Sequence, residues 1–167
     1  MRVIRILVVL ALAAAFTPLP PVDAHVTPVD RVVVYKSRHI MQLLRGEDVV
    51  RSYHVALGRN THGRKVRAGD CRTPEGKYVI DRHNGSSRFY KSLHISYPNS
   101  SDRIAATEKG YSPGGDIMIH GLPKGFEDLA DTHFRMDWTK GCIAVNNAQM
   151  DEIWRLVPDG TPIVIRP

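Results

Sequence analysis

From Asp30 onward, apolar residues recur in short runs broken by turn chemistry, the spacing of half-buried strands. Arg31 to Tyr35 is β-branched, His39 to Leu44 follows a Lys-Ser-Arg turn, and Val49 to Leu57 follows Arg45-Gly46-Glu47-Asp48. Tyr78 to Asp81, Leu93 to Tyr97, Asp116 to His120 and Pro162 to Ile165 read the same way. The period changes once. Met150, Ile153, Trp154 and Val157 fall on one face of a helix expected over Ala148 to Val157, with Asn146 or Asn147 as its cap and Pro158-Asp159-Gly160 as its stop. Shorter helical turns are expected over Ser101 to Glu108 and Phe126 to Asp131. Between His120 and Cys142 the chain carries Pro123, Gly125 and mixed charges, and is expected as a surface loop with a role in substrate access.

The first two dozen residues break this pattern. Arg2 and Arg5 precede an apolar run from Ile6 to Phe16, then a Pro-rich stretch, then Val22-Asp23-Ala24. This is the layout of an export signal over residues 1–24, cut before His25. The run is too short to cross a bilayer core of about 30 Å, so no stable membrane span is expected after cleavage. No Cys follows the cut to carry a lipid.

What remains suits one domain, residues 30–167, able to hold a core without disulfides or metal. The chain carries a formal net charge of +6, and removing Met1 to Ala24 leaves it basic. Exported proteins beside anionic lipid and carboxylate-rich wall polymer share that signature with nucleic-acid binders. The Lys and Arg residues form no cluster interleaved with aromatics, so nucleic acid is not expected as a partner.

Candidate chemistry centres on Cys142. It follows Thr139-Lys140-Gly141, where Gly141 allows close backbone approach and Lys140 adds positive charge, and it precedes Ile143-Ala144-Val145 at the mouth of a strand. A buried, inert thiol fits the same spacing. His120 ends a strand and is followed by Gly121, a rigid placement that suits a base as well as a structural histidine. His133 is the weaker candidate, and without an evident acid partner a backbone carbonyl such as that of Gly121 would fix the His120 tautomer. The scattered histidines and the lack of Cys-x-x-Cys or His-x-x-x-His speak against a metal, and no cofactor fingerprint is found.

Four stretches together resemble the catalytic domain of L,D-transpeptidases, the YkuD domain: Gly69-Asp70-Cys71-Arg72-Thr73-Pro74-Glu75-Gly76, Leu93 to Pro98, Gly115 to Gly121, and Asp137 to Val145. The resemblance implies a mainly β, compact β-sandwich-like fold with one or two short helices. It implies Cys142 as nucleophile, His120 as base, and Gly141, Thr139 and Gly121 as residues that shape the site or flank the oxyanion. The expected enzyme is an exported, cofactor-free acyltransferase of the periplasm or cell-wall space acting on peptidoglycan stem peptides. A thioester on Cys142 would pass to an amine of another stem or of an envelope lipoprotein. Two positions depart from the common pattern: Lys140 stands where His is frequent, and Ala144 where Arg is frequent. They leave a hydrolase using the same Cys142 and His120 as the alternative. For Cys71 the expectation is a second free thiol, since a Cys71–Cys142 disulfide would cap the nucleophile, with a reversible redox lock between the two as the alternative.

Overall fold

A computed structural model describes residues 27–167. The expected export signal lies outside the described residues. Eight strands form one curled sheet: β1 (Arg31–Tyr35), β2 (Ile40–Arg45), β3 (Asp48–His54), β4 (Gly76–Asn84), β5 (Ser92–Ile95), β6 (Met118–His120), β7 (Ile143–Ala144) and β8 (Pro162–Arg166). Their order is β3-β2-β1-β8-β4-β5-β6-β7. The pairs β1–β8 and β6–β7 are parallel and the others antiparallel.

The sandwich-like character comes from one sheet bending over. At Asp81 the β4–β5 register slips between Ile80 and Arg82, a bulge that turns the second half of β4 onto β5. The two edges then meet, because Ala56 and Ala144 exchange both backbone hydrogen bonds at 3.0 and 2.8 Å. Inward residues from both halves, among them Val34, Leu43, Ile80, Ile119, Ile143 and Ile163, are fully buried. Helix α2 (Asn147–Leu156) lays Met150 and Ile153 on that core. Asn146 caps it in a reciprocal box with Gln149. A second box, Asn99 with Asp102, starts α1 (Ser100–Thr107).

Several expected boundaries move for local reasons. Asp116 adopts φ 53°, which no strand accommodates, so β6 starts at Met118. β4 runs on through polar residues to Asn84, where His83 and Asp81 find partners in Asp159 and His94. The Phe126 to Asp131 turn is a 3-10 turn at Glu127–Leu129, and another occupies His133–Arg135. Among the described residues, no helix is long and apolar enough to cross a membrane.

Candidate active site

β6 is held on one side by β5 and on the other by β7, so the imidazole at its end has a fixed origin. His120 is 3% exposed. Its Nδ1 lies 2.7 Å from the Gly121 carbonyl oxygen. A carbonyl only accepts, so Nδ1 carries the proton and Nε2 keeps its lone pair. Burial lowers the pKa of His120 to about 4, against the opposing pull of the Gly121 bond and with a smaller push from His133. The ring is therefore neutral at pH 7. Phe89 packs on it with centroids 4.5 Å apart, and Trp138 meets it edge-on at 5.6 Å. Gly121 is required by crowding, since a Cβ there would sit 2.6 Å from Asn147 Oδ1 and 3.0 Å from Tyr90 Cβ. The same Asn147 Oδ1 accepts the Leu122 N–H at 2.8 Å.

Cys142 precedes β7. The register Ile119↔Ile143 and His120↔Ala144 carries the thiol up beside the strand that ends in His120. Its Sγ–H points at the Asp116 carbonyl, 3.6 Å away. Burial raises the thiol pKa above its ordinary value and the Asp116 charge adds to this, while a bond from the Met118 N–H and the charge of Lys65 oppose it. At neutral pH the thiol and the imidazole are thus both uncharged.

The loop before the thiol is tied from within. Thr139 Oγ1 accepts the Gly141 N–H at 3.0 Å and donates to the Cys142 carbonyl at 2.8 Å. The Gly141 N–H is therefore committed within the loop. Gly141 has φ 130° and a Cβ would fall 2.6 Å from the Arg72 carbonyl oxygen, so only glycine fits. Asp137 anchors the loop further back, accepting the Leu57 N–H at 2.7 Å and meeting His39 Nε2 at 2.8 Å.

The Arg72 backbone belongs to a second tied turn. The Asp70 carboxylate takes Lys65 Nζ at 2.8 Å and the N–H groups of Val66, Arg67 and Arg72 at 2.8 to 3.1 Å. Burial pushes the Asp70 pKa up, but Lys65 and the three amides together hold it below the usual carboxylate value. Cys71, next in the chain, has φ 55° and a free thiol facing the Gly69 carbonyl and Arg59.

Two hollows flank the site, with Leu122 between them. One, about 230 Å³, is lined by Pro123, Phe126, Leu129, Met136 and Trp138. His133 forms part of its wall, buried, with neither ring nitrogen hydrogen-bonded, on a segment whose other residues are largely exposed, as expected of a surface loop. The other, about 370 Å³, is polar and holds Arg88, Lys124 and Asn147. Phe89, Trp138, Asp137, Lys65 and Asn147 were not legible as site residues. The weak signal for two of them was an aromatic just before β5 and another inside the Cys142 motif. Among the described residues no three His, Cys, Asp or Glu side chains gather as metal ligands.

The family model for the L,D-transpeptidase catalytic domain, YkuD, matches residues 29–165. The chain belongs to that family. Over 108 residues it is 33% identical to the curated Putative L,D-transpeptidase YafK of Escherichia coli (strain K12), covering 64% of this chain and 36% of that protein. The match thus spans about a third of that relative's length. A mutant of the helical cell shape determining protein Pgp2 from Campylobacter jejuni aligns at 25% identity and TM-score 0.61, over 83% of this chain and 47% of the other. The L,D-transpeptidase of Xylanimonas cellulosilytica aligns at 18% identity and TM-score 0.55, over 90% and 64%, a likeness of fold. The curled, mainly β sheet is the L,D-transpeptidase fold expected from the sequence.

Proposed function

We propose that this L,D-transpeptidase-family chain is exported to the periplasm or cell-wall space and there transfers peptidoglycan stem peptides through a thioester on Cys142. The observation that carries the reading is the His120 tautomer: the Gly121 carbonyl holds the proton on Nδ1 and leaves Nε2 free, on the strand beside the Cys142 loop. Nε2 takes the Sγ proton as sulfur attacks the amide carbonyl between the diamino acid and a terminal D-alanine. The C–N bond breaks, the imidazolium returns its proton to the departing D-alanine amine, and the acyl group stays on sulfur. An acceptor amine then gives a proton to Nε2 and attacks the thioester, releasing the thiol. The Cys142 N–H serves the oxyanion, a donor of the kind that contributes roughly 3 kcal/mol to acyl transfer. Arg2, Arg5 and the apolar run from Ile6 to Phe16 support export.

Hydrolysis is the second reading. Ala144 is fully buried with both backbone groups committed to Ala56, so it offers substrate no side chain where relatives often carry Arg. Water in place of the amine would leave a trimmed stem. Incubation of the protein and of Cys142→Ala with tetrapeptide muropeptides and an acceptor amine, followed by product masses, separates the readings. Dimers or amine adducts from the wild type alone support transfer, and shortened stems without adducts support hydrolysis. Equal products from Cys142→Ala contradict both.

A further inference from the structure

The polar hollow beside His120 has a charge pattern that the acyl-transfer steps do not use. Its lining includes Ser87, Arg88, Tyr90, Lys124, Glu127 and Asn147. Lys91, nearby in sequence, is neutralised, with its Nζ 2.6 Å from Asp151 Oδ1, and the Tyr90 hydroxyl donates to Asp151 Oδ2 at 2.9 Å. Arg88 and Lys124 differ. Among the described residues neither forms an ion pair or a side-chain hydrogen bond, yet both face one space of about 370 Å³. Their one acidic neighbour in the lining, Glu127, turns Oε2 to the Gly125 N–H at 2.9 Å.

The walls that carry the two cations are ordered. Arg88 precedes Phe89, whose ring lies on His120 and whose N–H donates to Ser87 Oγ at 3.1 Å. Tyr90, with φ 67°, fixes the chain on the other side of Phe89 through Asp151. Lys124 follows Leu122-Pro123, and the Leu122 N–H is tied to Asn147. Two unpaired cations on anchored segments leave like charges lining one space. That arrangement favours an anion in the same space, and a guanidinium fork with an ammonium in the same lining suits a planar carboxylate.

We propose that Arg88 and Lys124 bind a carboxylate of the donor peptide in the cleft beside His120, and so register the scissile amide against Cys142. This rests on the peptide-stem reading above, and it selects peptides with a free carboxylate over amidated ones. Neither cation touches the reacting atoms; both are positioning residues.

The test measures binding apart from chemistry. Cys142→Ala protein is titrated calorimetrically with a tetrapeptide stem bearing free carboxylates and with its fully amidated counterpart. The free acid binds about tenfold tighter, and the advantage shrinks as salt rises. Arg88→Gln or Lys124→Gln, each confirmed folded by its melting transition, cuts that advantage at least about threefold, and the double variant abolishes it. Glu127→Gln widens it. Equal affinity for the two peptides, or equal losses for both in the variants, overturns the proposal. Thioester formation by wild type is followed in parallel. Carboxylate-dependent binding without thioester leaves this site standing and removes the acyl-transfer reading, whereas thioester formation with no carboxylate preference does the reverse.

Discussion

Cys71 and Cys142 ride on two turns that touch, the Arg72 carbonyl of one lying against Gly141 of the other, yet the two regions make opposite uses of similar materials. Both thiols are free and both are half-buried, so exposure does not separate them. What differs is where the polar groups of each turn point. Around Cys71 the Asp70 carboxylate draws in Lys65 and three amides, so the turn's polarity is consumed in holding its own shape. Around Cys142 the holding falls to Thr139 Oγ1, with Asp137 anchoring the loop further back. The thiol is left beside the strand that carries a neutral imidazole. The first turn serves as a footing for the second.

The comparison breaks most sharply on substitution of the thiols. Cys142→Ala lowers turnover of stem peptides by at least about a thousandfold, while Cys71→Ser stays within about twofold, as steady-state rates would report. A large loss in Cys71→Ser would make the first turn part of the chemistry. Next comes the footing. Asp70→Asn strands a buried lysine, with side-chain exposures of 3% for Lys65 and 6% for Asp70, and costs about 3 kcal/mol in chemical denaturation. A change within experimental error would show that Lys65 finds water. Thr139→Val removes the internal tie of the Cys142 loop while nearly keeping its volume, and reduces kcat/KM about tenfold to a hundredfold by letting the Cys142 backbone drift. An unchanged rate would assign Thr139 to folding alone.

The smallest effect is in pH dependence. The reactive form has His120 unprotonated and Cys142 protonated, so kcat/KM holds steady through neutral pH and falls on the acid side only near pH 4, where His120 takes up its proton. Alkylation of Cys142 by iodoacetamide, which needs the thiolate, keeps rising through the alkaline range above the ordinary thiol value of about 8.5. An acid limb near the unperturbed histidine value of about 6.5, with alkylation already level at neutral pH, would point to a resting ion pair.

What could be read from the chain was local. Alternation placed the strands, the Asn146 cap and the Met150 and Ile153 face placed α2, and Gly121 after a strand-end histidine was enough to suggest the carbonyl that fixes its tautomer. What could not be read depended on partners distant in sequence. Nothing near Ala56 announces that it closes the sheet against Ala144, and nothing near Phe89 announces His120. Asp116 has the sequence context of a strand and the backbone of a turn. His133 lies in the expected surface loop, yet the 3-10 turn it starts rolls it into the wall of the apolar hollow.

Whether Cys142 holds the acyl group is read from intact-protein mass after mixing with a tetrapeptide donor and no acceptor, quenched in acid. The wild type gains the mass of the donor less D-alanine, the gain maps to the peptide containing Cys142, and it is absent from Cys142→Ala. Released D-alanine with the added mass on any other residue would contradict the account.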